Sequence, residues 1–132
     1  MATLTGWFAL AFIALAALVP LTYRIRAKRR AAPGSTAIRA HVALGAATSI
    51  AAFVHTVSML GDLGAPGAVS GGALSFAPGA LAFFVLMAHS GVGLQLRRHD
   101  LRDRPKKRRF HGITAVTIAL AVTVHVVMLR AR

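Results

Sequence analysis

Residues 1–23, 40–61, 63–96 and 110–129 contain no Asp, Glu, Lys or Arg, while fourteen of the sixteen basic residues crowd into two short segments between those stretches. Only a chain that meets two solvents needs charge sorted so sharply. A hydrocarbon core about 30 Å thick is crossed by roughly 20 apolar helical residues. The pattern therefore predicts four membrane spans, Thr3–Tyr23, Ala37–Leu60, Ala73–Leu96 and Phe110–Leu129. Each is apolar all round, as lipid-facing helices are, with no polar stripe for water. In 132 residues this makes one domain, an all-α integral membrane bundle of four helices running up, down, up and down.

Composition excludes the main alternatives. Hydrophobic residues reach 56% and charged residues only 14%, against roughly 45–50% and 25% in soluble domains. A net charge of +13 would suit nucleic acid if the basic residues were spread over a folded surface. Here they are confined to loops beside apolar spans, where anionic lipid headgroups attract them, so no nucleic-acid partner is expected. Intrinsic disorder is excluded by hydrophobicity. The absence of Cys excludes a disulfide framework and covalently attached c-type haem.

Orientation follows from the Lys/Arg bias of the loops. Arg24, Arg26, Lys28, Arg29, Arg30 and Arg39 follow span one; Arg97, Arg98, Arg102, Arg104, Lys106, Lys107, Arg108 and Arg109 follow span three. The other side has only Arg130, Arg132 and Asp62. Loops 24–39 and 97–109 are thus expected in the cytoplasm, with both termini on the outer, periplasmic side of a bacterial-type inner membrane. Charge follows span one instead of preceding it, so that span reads as a retained anchor and not as a cleaved signal.

Ionisable residues inside spans are costly and mark functional sites. His41 and His55 lie fourteen residues apart on span two, and His111 and His125 fourteen apart on span four. Fourteen helical residues rise about 21 Å and turn about 1400°, some 40° short of four full turns. Each pair thus projects from one helix face, one His near each membrane surface. Spans two and four run in the same direction and are diagonal neighbours in such a bundle. His41 then faces His111 at the inner depth, and His55 faces His125 at the outer depth.

Two imidazoles facing one another across a bundle suit the axial positions of haem iron. A tetrahedral zinc needs four ligands close together, and pairs about 21 Å apart do not supply them. Copper or nickel at each pair would need further ligands. Two haem b groups with bis-His ligation are the expected cofactors. Taking the spans as upright, residues on spans two and three are level when their numbers sum to about 134. Gly93 then lies at the inner level and Gly79 at the outer one, again fourteen apart. Gly lets a flat macrocycle approach the backbone closely. On span one the same construction puts Gly6 at the outer level and Pro20 at the inner one.

Four axial His on two parallel helices, with paired glycines on the helices between, resemble the di-haem cytochrome b family, in particular the haem-bearing four-helix half of the cytochrome b of quinol:cytochrome c oxidoreductases. The resemblance covers nearly the whole chain and rests on spacing and topology. It implies that His41, His111, His55 and His125 hold the irons and that Gly79 and Gly93 form one glycine pair. Gly6 is half of another, whose second position is Pro20. The family's Pro-Glu-Trp-Tyr motif for quinol oxidation has no counterpart here, and neither do its further C-terminal helices. The resemblance therefore implies a stripped electron conduit exchanging electrons with quinone or with a redox partner protein, not a complete energy-conserving cytochrome.

Arg39, Arg97, Arg98 and Arg109 near the inner site, and Arg130 near the outer one, are candidates for binding haem propionates, because Arg grips carboxylates bidentately. The second nitrogen of each axial imidazole is expected to donate to a carbonyl one turn back on its own helix, an approach that Ala37, Ala51 and Ala121 leave open. His89, one turn from Gly93, points to the same interior. It is a candidate for binding a quinone head or a propionate or relaying a proton, or else it hydrogen-bonds to Ser90, Thr48 or a carbonyl of a neighbouring helix. His99, in a basic loop, reads as solvated. Two other readings use the same residues. One is a non-catalytic anchor or assembly subunit whose His only hydrogen-bond. The other is a metal or proton transporter with a His-lined path.

Overall fold

A computed structural model describes residues 2–61, 76–98 and 100–130. It contains four α-helices, α1 (Ala2–Ala27), α2 (Thr36–Leu60), α3 (Ala77–Gln95) and α4 (Arg104–Arg130). All four are long and apolar enough to cross a membrane. Residues 73–75 of the expected third span, Asp62 with the loop after it, and His99 lie outside the described residues.

The helix boundaries have local causes. Arg24 and Arg26 occupy the last turn of α1, where cations complement the helix dipole. Lys28 then takes a left-handed φ of 52° and Gly34 one of 79°; the second is a turn that glycine accepts without strain. Ser35 caps α2, its side chain accepting from the Ile38 amide at 3.4 Å. Pro78 sits in the first turn of α3, where its missing N–H costs nothing. The fourth helix starts at Arg104, well before the expected Phe110. Lys and Arg are good helix formers, so the helix runs on from the apolar span into the basic segment.

Basic side chains also tie the α3–α4 connection. The Arg104 guanidinium donates to the Leu96 carbonyl at 3.1 Å and to the Arg98 carbonyl, and the Lys107 ammonium donates to the Gln95 side chain. Carbonyls at and just beyond the end of α3, which have no helical partner, are satisfied in this way.

Helix α1 packs along α2 and α3 along α4, and the two pairs meet through α2 and α3. Ser49 and Ser90 bridge α2 and α3 by a 3.0 Å hydrogen bond. On the far side the Arg130 guanidinium lies 5.0 Å over the Trp7 ring, joining α4 to α1. Partners within each pair are found where residue numbers rise along one helix and fall along the other, as in Ala16 with His41 and Thr5 with His55.

The buried positions are mostly small: Ala9, Ala16, Ala82, Ala121, Thr48 and Thr114, with Leu86 and Ile118 the larger ones. The bulky apolar residues point outward, Phe84 at 70% exposure and Ile50 at 66%. In lipid, apolar side chains gain little by turning inward, and small residues let helix backbones approach. Hydroxyls inside the apolar spans are satisfied locally, as Thr48 and Thr56 show by donating to the Leu44 and Ala52 carbonyls at 2.8 Å.

Candidate functional site

Five imidazoles, those of His41, His55, His89, His111 and His125, are half-buried within the bundle. Three meet at one level. The His41 and His111 ring centres are 6.0 Å apart with planes at 85°. The His89 ring stacks on His111 at 3.7 Å with planes at 15°. This level draws on α2, α3 and α4.

Each ring is oriented through Nδ1. His41 Nδ1 donates to the Ala16 carbonyl on α1 at 2.7 Å. His111 Nδ1 donates to the His89 carbonyl on α3 at 3.2 Å. A carbonyl only accepts, so the neutral rings of His41 and His111 carry their proton on Nδ1 and offer Nε2 as a lone pair. His89 Nδ1 is 2.8 Å from the Thr114 hydroxyl. That hydroxyl donates to the His111 carbonyl at 3.0 Å, so it accepts from His89. Helix α4 therefore holds His89, while the backbone of His89 holds His111.

At the other level, Thr5 Oγ1 on α1 and His55 Nδ1 on α2 are hydrogen-bonded at 3.2 Å. The His125 ring lies against α3 at Gly79.

These contacts correct one expectation. For His41, His55 and His111 the partner of Nδ1 is on the neighbouring helix, not one turn back on the same helix. A carbonyl inside a regular helix already accepts from the amide four residues on. The His41 acceptor is a carbonyl that Pro20 leaves out of this ladder, the His55 partner is a hydroxyl, and only His111 shares a ladder carbonyl, at the longer distance of 3.2 Å.

The glycines make that reach possible. A Cβ on Gly6 would lie 3.1 Å from His55 Cε1, one on Gly93 3.1 Å from His111 Cε1, and one on Gly79 only 2.9 Å from His125 Cε1. Gly45, Gly91 and Gly112 would meet nothing within 4 Å. Three glycines named from spacing thus sit directly on the imidazoles. The expected purpose was room for a flat macrocycle; the contact present is with the histidine rings themselves. Pro20, the fourth position of the series, lies one turn beyond Ala16, whose carbonyl takes His41.

Arg39, Arg97, Arg98 and Arg109 are exposed. Arg130 is exposed as well, its guanidinium lying over Trp7. Among the described residues no group of three or more His, Asp or Glu is gathered as a metal site. His41, His89 and His111 lie together, but His89 is stacked on His111, which leaves His41 and His111 as the pair on separate helices whose ring centres are 6.0 Å apart.

Sequence reasoning missed Thr5, Thr114 and the Ala16 carbonyl. The first two are ordinary hydroxyl residues of apolar helices. The third had a signal, because a proline inside a helix leaves the carbonyl four residues earlier without its partner. No protein-family profile, curated protein or solved structure matches this chain.

Proposed function

We propose that this chain is a small di-haem b-type cytochrome that carries electrons across a membrane. His41 and His111 would hold one iron, and His55 and His125 the other. The helices would run up, down, up and down, with loops 24–39 and 97–109 in the cytoplasm and both termini outside a bacterial-type inner membrane. The reading is carried by one observation, the His41–His111 pair on separate helices. Two imidazoles sharing one metal at about 2 Å per nitrogen have ring centres about 6 Å apart, and these rings stand at 6.0 Å with both Nδ1 atoms committed to neighbouring backbone.

Bound bis-His haem supplies one-electron chemistry between ferric and ferrous iron with no open position for oxygen. The chain's own residues hold, space and tune it. The Nδ1–H bonds orient the axial rings and raise their basicity as ligands. The glycines seat those rings against the adjacent helix, and the lipid-facing shell of Phe, Leu, Ile and Val keeps water from the interior. The quinone pool or a redox partner protein would exchange electrons with the conduit. The basic loops suit both anionic lipid and an acidic partner face. Arg39, Arg97, Arg109 and Arg130 stand at the ends of the helices, within the region where propionates would reach the surface.

An absorbance spectrum of the purified protein tests the proposal. Reduction with dithionite should give a b-type α-band, and a pyridine haemochrome assay should return two haems per chain. A colourless protein overturns the proposal and favours the anchor or transporter readings. Substitution of His89 separates the roles of the three clustered histidines. The hydrogen bond that orients His111 is accepted by the backbone carbonyl of His89, which survives the loss of the ring stacked on it, so His89→Ala should keep both haems. A fall in haem content in that variant would make His89 a ligand and overturn the pairing.

A further inference from the structure

We infer that Pro20 is a positioning residue for His41, freeing the one carbonyl that orients and strengthens this imidazole as a ligand. The inference rests on the proposal that His41 binds iron.

Pro20 lies inside α1, well short of either end. It has no amide hydrogen, and its ring crowds the carbonyl of residue i−4. That residue is Ala16, which is buried at 9% exposure. A buried carbonyl without a partner costs free energy, and here the Ala16 carbonyl accepts from His41 Nδ1 at 2.7 Å. The proline thus creates an acceptor, and the histidine of the next helix uses it.

His111 shows what happens without a proline. Its acceptor, the His89 carbonyl, also lies four residues before a special position, here Gly93. Glycine keeps its N–H, so this carbonyl is shared with the helix ladder, and the bond to His111 is longer at 3.2 Å. The two rings that would hold one iron are therefore held unequally. His41 is the more strongly polarised ligand, since a stronger Nδ1–H bond makes Nε2 a better donor. Better donation stabilises ferric iron, so Pro20 should hold the potential of the inner haem down.

Pro20→Ala and Pro20→Gly both restore an amide at position 20 that competes for the Ala16 carbonyl. Neither endangers folding, because proline is the least favourable residue in a helix interior. Two measurements on the purified protein decide the question, the first on its reduced form. In nitrogen-15 spectra of histidine-labelled protein, the wild-type His41 Nδ1–H should resonate far downfield and move upfield in both variants. In a redox titration of the absorbance spectrum, the inner component should move to higher potential in both variants while the outer one stays in place. An unchanged His41 signal in either variant overturns the inference. So does an inner potential that stays fixed or moves together with the outer one. A wild-type protein without haem counts against the proposed function, and the nitrogen-15 comparison then judges the Pro20–His41 link alone.

Discussion

His41→Ala and His111→Ala should each remove the inner haem and leave the outer one, lowering haem per chain by about half; His55→Ala and His125→Ala should do the converse. The reciprocal loss is the strong part of the expectation. A histidine that merely bridged helices would, on removal, loosen the bundle and affect both haems together. The intact pair is also insulated from its neighbour, since fourteen helical residues separate the levels by about 21 Å. Haem content by pyridine haemochrome, read beside the redox titration of the spectrum, distinguishes the two cases. The His→Ala variants should lose one titrating component and keep the other at its wild-type potential. If all four variants bind haem as the wild type does, the ligand assignment is wrong.

Gly79→Ala should cost the outer haem without unfolding the chain. The added Cβ would stand 2.9 Å from His125 Cε1 and 3.0 Å from its Nδ1, closer than carbon atoms pack. Overpacking of this kind costs about 1–3 kcal/mol. The clash is with a side-chain ring, so rotation of His125 can relieve it, and the same rotation would turn Nε2 away from the place where it would hold the proposed iron. Loss of the cofactor is thus expected before loss of the helices. Gly91→Ala and Gly112→Ala provide the contrast. Neither Cβ would meet a neighbour within 4 Å, and replacing glycine by alanine in a helix gains about 0.5–1 kcal/mol. Thermal unfolding followed by circular dichroism and by haem absorbance should show Gly79→Ala losing only the outer haem signal, with Gly91→Ala and Gly112→Ala equal to or more stable than wild type. Full haem content in Gly79→Ala would mean that His125 is not held against α3 as described.

The four helices were legible because hydropathy is a local property, and a run such as residues 110–129 has no charge to contest it. The limits of that signal are also visible. Helix α4 begins at Arg104 because helix propensity persists where hydropathy has stopped, and no window tuned to lipid detects it. Spacing along one helix was legible too: fourteen residues is a fixed rise and rotation, so each His pair shares a face of its own helix. What one helix does to another was not. The acceptor for His41 belongs to Ala16, on a different helix; depth alone placed Gly79 level with the outer histidines, but its direct contact with the His125 ring depends on how the rods are turned against one another. The stacking of His89 on His111 has the same origin. The position of His89 near Gly93 was readable, but its bond to Thr114 needed the α3–α4 packing.

The seams of small residues have a consequence for how such a chain can drift. Phe84, Ile50, Leu120 and the other outward side chains are exposed on the outside of the bundle, where against lipid any apolar residue would serve equally well. Ala16, Ala82, Ala121 and Thr48 are buried inside the bundle, and a larger side chain at such a position would push the packed helices apart and move the histidines with them. Mutation can therefore rewrite most of the exterior while a few narrow positions stay locked. Two descendants of one ancestor could come to share little beyond five imidazoles, three glycines and a proline.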